Sequence, residues 1–313
     1  MLEPEYSERP VMQQRLRVEN LCRRYRDTVA LDDVTLTAFS GEACGVFGPS
    51  GSGKSVLLRI IAGIEAPDSG VVSRRGSGCA LSFAEPAVDL QLTPYETLWL
   101  HAILYEIPRR KRHAAVREVL VLMDLDSVRD IRVSSLSSGM RKRLELARAL
   151  IATADILLLD EPTFGLDARM RERLWDRLLS LRSNEGRTVV IATSRPDDAE
   201  LCDRINLLHH GRVLACGTVA QLRSMVGPEA VVIKPLDAKK AGTKGLRRNK
   251  AGITAFEQEG SLVVEMGMDS TPVELIRQIS GDVAAVRLRP QGLGTVLDEL
   301  AAQAAVRKAK DAE

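Results

Sequence analysis

Aromatic residues are scarce in this 313-residue chain, at 4% of the total. The 45% hydrophobic content is therefore mostly aliphatic, enough for a large core that needs no other scaffold. Cysteine is sparse as well. Cys22, Cys44, Cys79, Cys202 and Cys216 show no C-x-x-C spacing and lie in apolar or strand-like settings. That argues against a zinc cluster or a disulfide framework and fits buried thiols in a reducing compartment. No run approaches ~18 uninterrupted apolar residues, so no membrane-spanning helix is expected. An excess of charge of either sign is nearly missing too: the formal net charge is +2, which leaves no electrostatic reason to invoke nucleic acid or an acidic partner. Residues 1–14 are polar, with Glu3, Glu5 and Glu8, and lack the charged-then-apolar layout of a signal peptide. The expectation is a cytoplasmic chain with a flexible N-terminus over 1–14.

What is present begins with Gly48-Pro49-Ser50-Gly51-Ser52-Gly53-Lys54-Ser55, which fits G-x-x-x-x-G-K-[ST] at every fixed position. The glycines let successive backbone N–H groups turn inward around phosphate oxygens. Lys54 can reach the β- and γ-phosphates, and the Ser55 hydroxyl can ligate Mg²⁺. An apolar run over 43–47 precedes the loop and a helical pattern over 55–62 follows it, so a helix N-terminus adds its positive end to the same anion site.

A second segment, Ile156-Leu157-Leu158-Leu159-Asp160-Glu161, reads as a buried parallel strand ending in two carboxylates. Asp160 is placed to hold a Mg²⁺ shell, and Glu161 to polarise an attacking water as general base.

Leu136-Ser137-Ser138-Gly139-Met140 and a basic amphipathic helix over 141–151 lie between the two, and Phe164-Gly165-Leu166-Asp167 follows. Taken together, these motifs resemble the nucleotide-binding subunit of an ATP-binding-cassette (ABC) transporter, over about Leu16 to Met225. The resemblance implies a P-loop α/β fold with a mixed β-sheet core and a helical subdomain, with ATP and Mg²⁺ as cofactors. It implies that Tyr25 stacks on adenine and that Ser137 and Gly139 touch the γ-phosphate bound by the opposite subunit. Asp167 falls in the loop that crosses the dimer interface. Two cassettes would close head-to-tail around two ATP molecules. With one phosphate loop and one signature, this chain must pair with itself or with a sister cassette, and must work beside a membrane-spanning subunit.

Three positions depart from the family's pattern. Ala84 stands where a glutamine normally ligates Mg²⁺; Glu85 could substitute only after a one-residue shift that Pro86 restricts. Ser194 stands where a histidine normally contacts the γ-phosphate. Ser138 replaces the usual second glycine of the signature. Losing one positioned group costs about 10²–10³-fold in rate, so the expectation is firm Mg-ATP binding with poor hydrolysis. Glu161 argues against complete inactivity.

The ABC domain is expected over 15–227, with its helical subdomain over about 86–150. Helical spacing marks 94–104 and 114–123, and Arg109-Arg110-Lys111-Arg112-His113 reads as a basic run between them, a solvated loop in the first place and a contact for anionic lipid headgroups as the alternative. A linker is expected over 228–251, where 235–250 is rich in lysine, arginine and glycine. A small accessory α+β domain follows over 252–313. It has strand candidates at 252–258, 261–266 and 283–288, and a helix opened by Thr271 and Pro272 and closed by Gly281. A last helix is expected over 293–308. Its ending resembles the tail of cassettes serving exporters whose membrane part is a separate chain.

The leading reading is thus an export-type transporter ATPase held at the inner face of the cell membrane by its membrane subunit. A regulatory cassette paired with a competent sister, or an ABC ATPase outside transport, are the alternatives. The transported substrate is not readable, because membrane helices that this chain lacks would recognise it.

Overall fold

The computed structural model describes residues 13–226, 228–235, 254–258, 261–265, 283–290 and 292–310, and the chain divides into units at Met1–Thr218 and Val219–Glu313. In the first unit, β3 (Ala43–Phe47), β6 (Ile156–Asp160) and β7 (Thr188–Thr193) are buried along their whole length. Continuous apolar runs of this kind suit strands covered on both faces. They form the middle of a six-stranded sheet ordered β5-β6-β7-β3-β8-β9, where β5 is Cys79–Ser82, β8 Arg204–His209 and β9 Arg212–Gly217. Pairing is parallel except between β8 and β9.

A separate antiparallel sheet, β2-β1-β4, is built from β1 (Gln14–Tyr25), β2 (Thr28–Phe39) and β4 (Ser69–Arg74). Helix α1 (Lys54–Ala62) buries Leu57, Leu58 and Ile61 among side chains of both sheets, including Leu16, Val34, Ile156 and Val190. The register is what positions the site. Phe47 pairs with Thr193 and Asp160 with Ala192, so β3, β7 and β6 end side by side. In parallel α/β sheets, ligands bind at the carboxyl ends of strands.

Helices α2 (Pro94–Leu104), α3 (Arg109–Leu122) and α4 (Ser138–Leu150) make up the helical region, and α5 (Ala168–Glu185) and the short α6 (Pro196–Ala199) flank β7. A capping box between Thr93 and Glu96, with Pro94 at the first position, starts α2. The basic run 109–113 is not a loop: it is the first turn of α3. Like charges at a helix start oppose the macrodipole, which is why the residues read as loop; burial of Val116, Val119 and Leu120 outweighs that cost.

In the second unit, α7 (Val219–Ser224) precedes β10 (Pro228–Pro235), β11 (Thr254–Gln258), β12 (Ser261–Glu265), β13 (Val283–Pro290) and α8 (Leu293–Lys310). The strands form one antiparallel sheet ordered β11-β12-β10-β13. The expected linker over 228–251 is therefore corrected at its start. Ala230-Val231-Val232-Ile233 is a central strand, paired with β12 on one side and β13 on the other. Two flanking prolines disguised it as punctuation. Residues 236–253, the helix expected after Thr271, and residues 1–12 lie outside the described residues.

Candidate functional site

The loop between β3 and α1 is shaped by close backbone approach. A Cβ at Gly48 would collide with the carbonyl oxygen of Leu208. Gly53, at φ 104°, caps α1 in a left-handed conformation and packs against the Ala30 carbonyl. Two outside contacts fix the loop: Gly48 N–H donates to the Thr193 carbonyl at 3.2 Å, and Gly211 N–H to the Ser52 carbonyl at 3.0 Å. Ser50 and Gly51 are exposed, while the Ser52 hydroxyl is buried with no partner.

Lys54 is buried, and its ammonium donates to the carbonyls of Gly48 (2.8 Å) and Pro49 (2.9 Å). Its third neighbour is Glu161, with Nζ 3.4 Å from Oε1. Glu161 leaves β6 in a left-handed conformation, φ 45°, rare for a non-glycine residue and characteristic of functional positions. Its backbone N–H still donates to the Ala192 carbonyl at 2.8 Å. Its Oε2 accepts from the Ser194 backbone N–H at 3.1 Å and from the Thr193 hydroxyl at 3.5 Å.

Asp160, beside it, is buried. The Ser55 hydroxyl bonds one carboxyl oxygen, while Oδ1 has no partner. Burial raises the Asp160 carboxyl above its usual range; the nearby Glu161 charge adds to the rise, and the Ser55 bond, Lys142 and Lys54 oppose it. A buried carboxylate with one unsatisfied oxygen beside a hydroxyl is the donor set a hard divalent cation takes. The residues present thus fit Mg²⁺ at Ser55 and Asp160.

The structure brings Lys54, Ser55, Asp160, Glu161 and Ser194 together. The signature lies elsewhere. Ser137 caps α4, accepting from Met140 N–H at 3.2 Å, and Asp167 caps α5, accepting from Met170 N–H at 2.8 Å. Ser138, Gly139 and Gly165 line a cleft of about 590 Å³ with Ala84, Lys142 and the exposed Phe164; no phosphate-loop residue lines it. An added Cβ at Gly139 would meet nothing within 4 Å, so nothing within this chain's described residues requires glycine there.

Tyr25 ends β1, 39% exposed, with the Arg23 guanidinium 4.9 Å from its ring centroid. Its hydroxyl donates to Glu65, which also accepts from Arg23 and Arg59. This cluster fixes the ring's attitude.

Two residues of α4 escaped the sequence reading. Lys142 is buried and its ammonium donates to the carbonyls of Phe83 (2.9 Å), Ala84 (2.9 Å) and Asp160 (3.3 Å). Burial pushes its pKa down, against the pull of Asp160, Glu145 and Glu161. Glu145 is fully buried, accepting from the N–H groups of Phe83 and Ala87, both at 3.0 Å, and from Arg148 at 2.8 Å. Their three-residue spacing on a helix, with Leu144, Ala147 and Leu150, was the one available signal. Arg195 turns away from Glu161, toward Asp197 and Asp198.

Known proteins are similar to this chain in sequence and fold. The family model described as "ABC transporter" matches residues 31–164. The Nod factor export ATP-binding protein I of Burkholderia lata is 34% identical over 229 residues, covering 68% of this chain and 74% of that protein. Its counterpart in Rhizobium meliloti is 36% identical over 212 residues, covering 63% and 62%. Among solved structures, an ATP binding subunit of an ABC transporter matches with TM-score 0.63 and 26% identity, covering 67% of this chain and 92% of that one. A dimeric ATP-binding cassette in a post-hydrolysis state bound to ADP and Pi matches with TM-score 0.61 and 27% identity, covering 65% and 98%. The chain belongs to the ATP-binding subunits of ABC transporters.

Proposed function

We propose that this chain binds Mg-ATP at the loop ending in Lys54 and Ser55, hydrolyses it slowly, and couples the cycle to export through a membrane-spanning partner. The observation that carries this reading is the setting of Glu161: oriented by Lys54, Thr193 and the Ser194 amide, beside an Asp160 whose Oδ1 is unsatisfied. Lys54 would neutralise charge on the β- and γ-phosphoryl oxygens, loop N–H groups would cradle them, and Tyr25 would stack on the base. Glu161 would accept the proton of the attacking water, in line with the leaving oxygen. Ser55 and Asp160 would hold Mg²⁺, which supplies Lewis-acid stabilisation of charge on the phosphoryl oxygens. Ser137, Gly139 and Asp167 would complete the site of a second cassette, identical or sister.

Slow turnover follows from two side chains. Ala84 has no side-chain oxygen, and Ser194 contributes a main-chain amide to Glu161 where a histidine would bring a ring. The same two residues favour a second reading, a cassette whose ATP acts mainly as a clamp while a sister chain hydrolyses. The direction of transport is taken from relatives named for Nod factor export, and the place of action would be the inner face of the membrane, through the partner. Calorimetry with Mg-ATP, followed by single-turnover hydrolysis, tests the reading. Absence of nucleotide uptake by the chain and by its assembled complex overturns it, and uptake with no detectable hydrolysis selects the clamp.

A further inference from the structure

The carboxylate of Asp198 is fully buried, four residues after Ser194, whose amide holds Glu161. Its Oδ2 accepts from the Thr163 hydroxyl and lies 3.5 Å from Nε of Arg195, and its Oδ1 accepts from the Trp175 indole N–H at 3.3 Å. Trp175 belongs to α5, and Thr163 to the loop that runs from Glu161 to Asp167. Thr163 is buried, whereas Phe164 and Gly165 beyond it are exposed. That loop is two overlapping turns. Phe164 N–H donates to the Glu161 carbonyl at 3.3 Å, and Leu166 N–H to the Thr163 carbonyl at 3.1 Å. Thr163 thus anchors the turn that Glu161 opens. Burying a carboxylate is costly, and an apolar side chain beside Trp175 would fill the space without that cost.

We propose that Asp198 is a positioning residue for hydrolysis: by holding Thr163, it sets the backbone from which Glu161 reaches the attacking water. The segment 194–198 grips the segment 161–163 twice. The Ser194 amide takes the Glu161 carboxylate, and Asp198 takes the turn behind it. A non-glycine residue at φ 45° stays there only where its surroundings over-determine it, and the second grip is one such restraint. It carries more weight here because position 194 brings no imidazole ring. A displacement of about 1 Å at a reacting group can cost about 10²-fold in rate, so a contact two residues from the base has leverage on turnover. The proposal deepens the reading of Glu161 as general base and rests on it.

The test is single-turnover hydrolysis by the full chain, measured beside Mg-ATP calorimetry. Thr163→Val keeps the volume and removes the hydroxyl, and Asp198→Val removes the acceptor. Each is expected to slow hydrolysis by roughly ten- to a hundredfold with nucleotide affinity kept, which also shows that the variant is folded. Thr163→Ser restores the hydroxyl and should recover most of the rate; Asp198→Asn, which can still accept one bond, should recover part. The double variant Thr163→Val, Asp198→Val should be no slower than the slower single variant, because both remove the same contact. Rate losses that multiply in the double variant, or affinity losses equal to the rate losses, overturn the proposal. Thr163→Val hydrolysing at the parent rate while Glu161→Gln does not overturns it alone and leaves the base in place. A parent that does not hydrolyse, or Glu161→Gln hydrolysing like the parent, brings down both readings.

Discussion

The ammonium of Lys142 bridges the carbonyl oxygens of Ala84 and Asp160, at 2.9 Å and 3.3 Å. A side chain of the helix that follows the signature thus joins the exit of β5 to the exit of β6, one residue before Glu161, the proposed general base. Lys142→Met removes the bridge and leaves buried carbonyls without their donor, at a cost of about 1–3 kcal/mol in stability. We expect single-turnover hydrolysis to fall at least tenfold with ATP affinity nearly unchanged, and Lys142→Arg to recover part of the rate. A fall in affinity equal to the fall in rate would show that Lys142 only holds the fold.

Glu161 is expected to govern chemistry and not binding. Glu161→Gln keeps the shape and the hydrogen bond from Ser194 N–H but cannot take a proton. Turnover should drop by about 10²–10³-fold, with nucleotide affinity kept, as measured by calorimetry beside a phosphate-release assay. Vigorous residual hydrolysis would remove Glu161 from the role of base.

Restoring the missing side chains should act in the opposite direction. Ala84 borders the 590 Å³ cleft, which has room for a longer side chain. The double variant Ala84→Gln, Ser194→His is expected to hydrolyse at least tenfold faster than the parent, given the usual worth of one positioned group. Equal rates would mean that the parent site is limited by something other than these two positions.

Acid sensitivity should trace in part to His101. Burial, with the nearby Arg148 charge, lowers its pKa from 6.5 to about 4. Below pH 6.5 the unfolded chain takes up a proton that the folded chain refuses, so stability is present above that pH and lost as pH falls toward 4. After allowance for its partial exposure, the loss amounts to about 1–3 kcal/mol. Denaturant melts at pH 7 and pH 4.5 should show it, and His101→Gln should flatten the difference.

The parts of the molecule legible in the sequence were those whose chemistry is local. Lys54, Ser55, Asp160 and Glu161 sit in short motifs in which the strand, turn and helix that position them are also written. Lys142 and Glu145 were not legible, because a charge on an amphipathic helix looks solvated until the partner carbonyls and amides of 83–87, about sixty residues away in sequence, are seen beside it. The first turn of α3 was hidden by its like charges, and β10 by its prolines. In both, tertiary packing overrode a local signal. Ser194 was read through its side chain, whereas its observed contribution is an amide N–H that any residue but proline could offer.

One consequence of the left-handed backbone at Glu161 runs against ordinary expectation. A residue without a Cβ would adopt φ 45° at no steric penalty, and losing the carboxylate would also relieve its repulsion of Asp160. Replacing this glutamate by glycine would ease the backbone but leave the buried Lys54 ammonium without its carboxylate neighbour and the Ser194 amide without its acceptor, so the strain is held in place by the same side chain that causes it.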